Sequence, residues 1–320
     1  MFEPILVADV GGTNARFAIA THFNKETNEL ELAHIKKLSS NEFESFSHVI
    51  QAYLDSIPSV PSRACFAVAG PRKDDTVFLT NLGWQFDVSS IQAEFGFNAF
   101  KVINDFAAFA EAAPYISTAN NLHVKKGNAN THGNIAVIGP GTGFGAAALV
   151  KGEKNTVLSC EAGHISLAPC NALERQLIAA LAETFEHVSV EHVFSGQGLE
   201  NLYQAMAKVH GVDAKDYDAP KITELALSQD DEICVKTLNQ FCDWIGAVAG
   251  DLALTFNATG GVFIGGGILP RFQQTLLASN FTERFNTKGK MQHIVTDIPV
   301  TLITQDNIPL LGATASMELN

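Results

Sequence analysis

The feature that most restricts this chain is a pattern that occurs twice. Ile5-Leu-Val-Ala-Asp-Val-Gly-Gly-Thr-Asn-Ala-Arg-Phe-Ala-Ile-Ala20 is an apolar run, a Gly/Thr turn and an apolar return. Ile135-Ala-Val-Ile-Gly-Pro-Gly-Thr-Gly-Phe-Gly-Ala-Ala-Ala-Leu-Val150 can be laid over it, 130 residues further on (135 − 5). Short apolar runs on either side of a glycine-rich turn predict a β-hairpin, because glycine adopts the backbone angles of a tight tip at no steric cost. Two diverged copies of one unit predict two similar α/β domains facing each other, and 320 residues suit two domains packed about a cleft.

The remaining elements fit that plan. Ala64–Ala69 reads as a buried strand ended by Gly70-Pro71. Phe100–Ile103 reads as another, leading through Asn104-Asp105 into a helix of Phe and Ala that ends near Ala113-Pro114. In the second half, Leu173–Glu186 and Leu199–His210 carry apolar residues at three-and-four spacing and predict amphipathic helices. Ile233–Asn257 predicts a longer helix, interrupted by Gly246 and Gly250. Gly261–Ile264 is a strand running into Gly265-Gly266-Gly267, Ile298–Ile303 is a strand, and Leu310–Glu318 is a closing helix. No linker or charge block separates the halves, so the boundary is placed at 110–120 by inference.

Charge narrows the partners. With 21 Lys+Arg against 34 Asp+Glu the net charge is −13, a surface that should repel nucleic acid and anionic membrane. A polyanion such as ATP would have to be held locally, by backbone amides, helix ends and a metal ion. Two long uncharged stretches, Asn134–Val150 and Leu252–Pro270, are interrupted by glycine and suit strands and turns better than a membrane helix. Met1-Phe2-Glu3-Pro4 lacks the basic start of a secretion signal. Five cysteines, odd in number and without a C-x-x-C pair, read as small buried hydrophobes in a reducing compartment, so the expected setting is cytoplasmic.

Three glycine loops follow strands: Asp9-Val-Gly11-Gly12-Thr13-Asn14, Gly139-Pro-Gly141-Thr142-Gly143-Phe-Gly145, and Gly265-Gly266-Gly267. Any one could be plain turn chemistry. Together they predict a phosphate cradle in which backbone N–H groups close on an anion. Thr13 and Thr142 add hydroxyl donors, and Asp9 could hold Mg2+ through water, since hard cations favour oxygen. The P-loop pattern is absent, because Gly289-Lys290 is followed by Met. A dinucleotide fingerprint matches nominally at Gly141-x-Gly143-x-x-Ala146, with Glu161 twenty residues after Gly141. That fingerprint must open a helix, however, and Ala146–Val150 reads as a returning strand.

Several polar residues could serve a sugar. Asp105, at a strand-to-helix junction, can accept a proton from a hydroxyl that attacks phosphorus, or can merely cap the helix. Glu161-Ala-Gly-His164 joins an acceptor to a donor, which suits a polyol, or is a surface loop. Glu191, read alone, is a helix-surface charge, and Asn81 is a turn former. Cys160, His164 and Cys170 lie near one another without the paired thiolates of a zinc site, so no zinc site is expected.

In this order the motifs resemble those of the bacterial glucokinase family, within the actin-like sugar kinase superfamily. They are Asp9-Val-Gly-Gly-Thr-Asn14, Thr80-Asn-x-x-Trp84, Ile103-Asn-Asp-Phe106, Gly139-x-Gly-Thr-Gly-x-Gly145, Glu161-x-Gly-His164, Gly261-Val-Phe-Ile-x-Gly-Gly-Ile268 and Pro309-Leu-Leu-Gly312. The resemblance implies the two-domain actin-like (ribonuclease H-like) α/β fold with a cleft between the domains. It implies a small domain over 1–112 to which 305–320 returns, and a large domain over 113–304. It implies that glucose is bound by Asn81, Asn104, Asp105, Glu161, His164 and Glu191, and that Asp105 deprotonates its 6-hydroxyl. It also implies that the glycine loops and Mg2+ hold ATP, and that the protein is a homodimer.

There are departures. The family usually carries Glu-Gly-Gly-His where this chain has Glu161-Ala162-Gly163-His164, which implies an extra methyl near the sugar. Ile165–Cys170 lacks the cysteine-rich zinc motif of the related ROK kinases, and a strand starting at Ile5 leaves no room for the helix-turn-helix of ROK repressors. Two alternatives stay open: a kinase for another hexose, or a sugar- or nucleotide-binding regulator without turnover. The presence of both Asp9 and Asp105 speaks against the regulator, which needs neither a metal-holding carboxylate nor a base.

Overall fold

The computed structural model describes residues 2–117 and 121–318. The chain divides into two compact units, Met1–Ser117 with Gln305–Asn320, and Thr118–Thr304. Residue 1, the 118–120 part of the inferred boundary, and the last two residues of 305–320 lie outside the described residues.

The first unit is built on a five-stranded sheet of order β3-β2-β1-β4-β8. β1 (Ile5–Val10), β2 (Asn14–Asn24) and β3 (Glu29–Ser39) form an antiparallel meander. α1 (Phe46–Leu54) then leads to β4 (Arg63–Val68), parallel to β1. A ribbon of β5 (Arg72–Lys73), β6 (Thr76–Leu79) and β7 (Trp84–Asp87) precedes α2 (Val88–Phe95). β8 (Ala99–Asn104) adds to β4 in parallel and runs into α3 (Asp105–Ala112). Side chains alternate faces along a strand. Leu6, Ala8 and Val10 therefore pack with Phe17, Phe46, Tyr53 and Phe66 on one side, while Ile5 and Val7 join Cys65, Leu310 and Ala313 on the other. Covering both faces explains why β1 and β4 are apolar except for Asp9 and Arg63.

The second unit repeats the plan in a six-stranded sheet, β12-β11-β10-β13-β14-β9. After β9 (Leu122–Lys125), β10 (Ile135–Pro140), β11 (Phe144–Val150) and β12 (Thr156–Cys160) form the meander. α4 (Ala172–Leu181), α5 (Gly196–Val209), α6 (Ala219–Ser228) and α7 (Glu232–Thr255) supply the helical layer. β13 (Gly261–Ile264) pairs with β10 in parallel. The short helices α8 (Gln273–Ala278), α9 (Phe281–Asn286) and α10 (Gln292–Val295) then lead to β14 (Val300–Leu302). Finally α11 (Ile308–Glu318) joins the first unit, packed on α3 so closely that a Cβ on Gly312 would overlap the Ala108 carbonyl.

The duplicated hairpin is present in both sheets: three antiparallel strands, then two in parallel. Ile5 pairs with Ala20 and Ile135 with Leu149, so the offset of 130 along the first strand falls to 129 (149 − 20) on the return. The second turn is one residue shorter.

Two expectations need correction. α7 is not interrupted at Gly246 and Gly250 but runs unbroken for 24 residues. The glycines instead let α9 approach, since a Cβ at either would stand 2.5 Å from the carbonyl oxygen of Phe281 or Phe285. The helix expected over Leu173–Glu186 stops at Leu181, whose carbonyl accepts the N–H groups of Thr184 and Phe185 and so turns the chain. Among the described residues, no helix is long and apolar enough to cross a membrane.

Candidate active site

The parallel strands of the first unit end in a row. Val10 pairs with Val68, and Val68 with Asn104, so the Gly11–Thr13 turn and the Asn104-Asp105 junction emerge from one end of the sheet. Ligand sites in α/β sheets collect at the carboxyl ends of such strands. The Gly11 N–H donates to the Asn14 carbonyl at 2.9 Å. Ser40, fully buried, donates its N–H to the Thr13 carbonyl at 2.9 Å and its hydroxyl to the Gly11 carbonyl at 3.3 Å. Nothing in the sequence pattern singled out Ser40, which fixes the turn from behind. Asn81, exposed on the 80–82 turn, lies against Gly12, where a Cβ would come within 2.9 Å of its own Cβ.

The junction separates two roles that the sequence left combined. Asn104 is the helix cap: its Oδ1 accepts the N–H groups of Phe106 at 2.9 Å and Ala107 at 3.2 Å. Asp105 is therefore not the cap but the first residue of α3, with its Oδ1 accepting the Phe106 N–H at 3.0 Å. Burial pushes the Asp105 carboxyl up to about 6, the Phe106 N–H opposes this, and the negative charge of Asp9 adds to the rise. Burial also raises Asp9, opposed by Arg16, its register partner across the hairpin. Arg16 Nη1 in turn donates to Asn307 Oδ1 at 2.8 Å, just before α11.

In the second unit, Ile138 pairs with Ile264, so the Gly139–Gly143 and Gly265–Gly267 loops leave the sheet side by side. Gly266 has φ +87°, and a Cβ there would stand 2.2 Å from the Pro140 carbonyl, so only glycine fits. The Gly141 N–H closes onto the Gly143 carbonyl at 2.7 Å, and the Gly265 N–H donates to the Ile138 carbonyl at 2.8 Å. Thr142, Gly266 and Gly267 are exposed on the loop surfaces. Arg271, also exposed, donates Nε to the Gly267 carbonyl at 3.1 Å, placing a cation on the third loop that the sequence pattern did not flag.

Glu161 and His164 are exposed and flank the 162–164 turn, where the His164 N–H donates to the Glu161 carbonyl at 3.0 Å. Glu191 is not on a helix surface: it sits in a turn, its N–H donating to the Gly163 carbonyl at 2.8 Å and its Oε2 accepting the Phe144 N–H at 2.7 Å. The structure thus brings Glu161, His164, Glu191 and the Gly141–Gly143 loop together. Ala162, between Glu161 and His164, is buried and belongs to the same core cluster as Phe144. The cysteines divide: Cys65, Cys234 and Cys242 are buried, Cys160 is half-buried and Cys170 is exposed, each a free thiol.

Among the described residues, no group of three or more His, Cys, Asp or Glu could hold a metal unaided. Mg2+ does not need such a cage, because it keeps several waters and takes one or two carboxylates plus phosphate oxygens. Asp9, a half-buried carboxylate beside a glycine turn, fits that requirement.

A family model described as Glucokinase matches residues 6–320. The glucokinase of Saccharophagus degradans is 41% identical over 317 residues, covering 98% of both chains. The chain belongs to the glucokinase family. A crystal structure of a glucokinase from an Antarctic psychrotroph is 52% identical and superposes with a TM-score of 0.94, covering 100% of each chain. A ROK family glucokinase from Streptomyces griseus, in complex with glucose and AMPPNP, shares the fold at 19% identity with a TM-score of 0.65, covering 98% of each chain. The family's actin-like sugar kinase fold is the one described above, two α/β units each built on the repeated hairpin.

Proposed function

We propose that this chain transfers the terminal phosphoryl group of ATP to the 6-hydroxyl of glucose, giving glucose 6-phosphate and ADP. The observation that carries the mechanism is Asp105: a carboxyl at the first position of α3, half-buried, fixed by the Phe106 N–H and raised to about 6. At neutral pH it is ionised yet poised to take a proton, which a general base for an attacking hydroxyl needs. The sugar oxygen would form its bond to the γ-phosphorus as the bond to the β-phosphate oxygen breaks, and its proton would pass to Asp105. Asn81, Asn104, Glu161, His164 and Glu191 would bind the remaining hydroxyls. Donors and acceptors occur in both units, as a polyol requires.

ATP would lie on the loops that carry Gly11, Gly12, Thr13, Asn14, Gly139, Gly141, Thr142, Gly143 and Gly265–Gly267. Mg2+, when bound with the phosphates and held by Asp9 through water, supplies charge neutralisation. The AMPPNP seen with the Streptomyces griseus relative supports ATP as donor. Five free thiols support a cytoplasmic setting, the net charge of −13 speaks against nucleic acid and anionic membrane as partners, and family resemblance supports a homodimer.

The test is an assay of sugar phosphate formation with Mg2+ and either ATP or polyphosphate, over glucose, mannose, fructose and an amino sugar. Glucose with ATP should give the highest kcat/KM. A higher value for another sugar or for polyphosphate would overturn the assignment.

A further inference from the structure

Glu191 makes two contacts that lead in different directions. Its N–H donates to Gly163, inside the turn that carries Glu161 and His164. Its Oε2 accepts the Phe144 N–H at 2.7 Å, at the exit of the Gly141–Gly143 loop. The carboxylate lies close against that loop with Oε2 nearest, since a Cβ on Gly143 would stand 2.4 Å from Oε2. A carboxylate in this place opposes a phosphate twice: it occupies the amide that immediately follows the loop, and it sets like charge beside the loop. A sugar hydroxyl donating to the carboxylate would draw charge off the loop.

We propose that Glu191 couples the two ligands: sugar bound at Glu161, His164 and Glu191 releases the Gly141–Gly143 loop from the carboxylate, and nucleotide affinity rises. This rests on the sugar reading given under the proposed function. It goes beyond that reading, because a residue that only bound sugar would leave nucleotide affinity unchanged. Coupling between two ligands is reciprocal and commonly amounts to about 5–150-fold.

Calorimetry with AMPPNP and Mg2+, with and without saturating glucose, tests the proposal in the full chain. Glucose should tighten AMPPNP about fivefold or more in the wild type. Glu191→Gln keeps an acceptor for the Phe144 N–H but removes the charge. It should bind AMPPNP without sugar nearly as tightly as the wild type does with sugar, and show coupling below about twofold. Gly143→Ala moves the carboxylate off the loop without changing Glu191, and should also lose the coupling. Circular dichroism checks that both variants are folded. Coupling of wild-type size in both variants, or none in a wild type that binds glucose, overturns the proposal and leaves the sugar reading standing. A wild type that binds no glucose overturns that reading, and the proposal with it.

Discussion

Asp9 and Asp105 stand at the same end of the first unit's sheet, and the charge of Asp9 adds to burial in holding the Asp105 carboxyl near 6. The strand order explains this. Asp9 pairs with Ala67, and Ala67 with Ile103, so β1 and β8 flank β4 two strand spacings apart, roughly 10 Å. One topology thereby sets the carboxylate that would face the metal beside the one that would act as base.

Acid should switch the enzyme off through Asp105. As the proposed base Asp105 would work ionised, so kcat/KM should fall about tenfold per unit below pH 6 and stay level above it. Asp9→Asn removes the neighbouring charge and should move that limb to lower pH while lowering the overall rate. A pH profile of both proteins checks this. A limb that stays in place or moves upward would contradict the electrostatic link.

The same carboxyl should cost stability. Its folded pKa lies above the usual 3.8, so the protonated form is the better held one. That stability is complete below pH about 4 and is lost as pH rises through about 6. Asp105→Asn keeps an acceptor for the Phe106 N–H and removes the charge. At pH 7.5 it should be more stable by about 1–2 kcal/mol, after allowing for solvent at the half-buried group. Thermal unfolding should show a Tm a few degrees higher, and a lower Tm would count against the assignment.

Gly266 should resist even alanine. The positive φ and the Pro140 carbonyl 2.2 Å from a Cβ leave no room, whereas a Cβ on Gly267 meets nothing within 4 Å. Gly266→Ala should lose about 1–3 kcal/mol and weaken AMPPNP at least tenfold, while Gly267→Ala keeps wild-type stability. Unfolding curves and calorimetry on the pair decide it.

The second unit holds a buried charge that should matter to folding rather than chemistry. Glu174 is fully buried and accepts from the Cys170 N–H at 2.6 Å, Gln240 Nε2 at 3.1 Å and Arg284 Nη2 at 2.6 Å. Arg284→Met leaves that carboxylate without its cation and should cost about 3–5 kcal/mol in denaturant unfolding. Arg284→Met with Glu174→Gln should recover part of the loss. A double variant no better than the single one would contradict this account.

Much of the fold could be read in advance because hairpins announce themselves locally: an apolar run, glycines, an apolar return. The duplication was visible for the same reason, although the one-residue difference in turn length was not. Roles that depend on distant contacts were hidden. Gly246 and Gly250 looked like breaks because their partners, the Phe281 and Phe285 carbonyls, lie on another helix. Glu191 looked like a solvated charge because its partners, Phe144 and Gly163, are far away in sequence. Ser40 carried no motif at all, and the burial of Ala162 beside Phe144 depends on a partner that no local pattern names. Asp105 and Asn104 were both legible as junction residues, but their division into a cap and a half-buried acid rests on which oxygen accepts which amide.

The central claim, that Asp105 accepts the proton from the attacking hydroxyl, is tested most directly by glucose 6-phosphate formation from glucose, Mg2+ and ATP in wild type and Asp105→Ala. The account predicts robust wild-type turnover and a kcat lower by about two to four decades in the variant, with the fold intact by circular dichroism and glucose still bound. A variant that retains kcat within about threefold of wild type would contradict it.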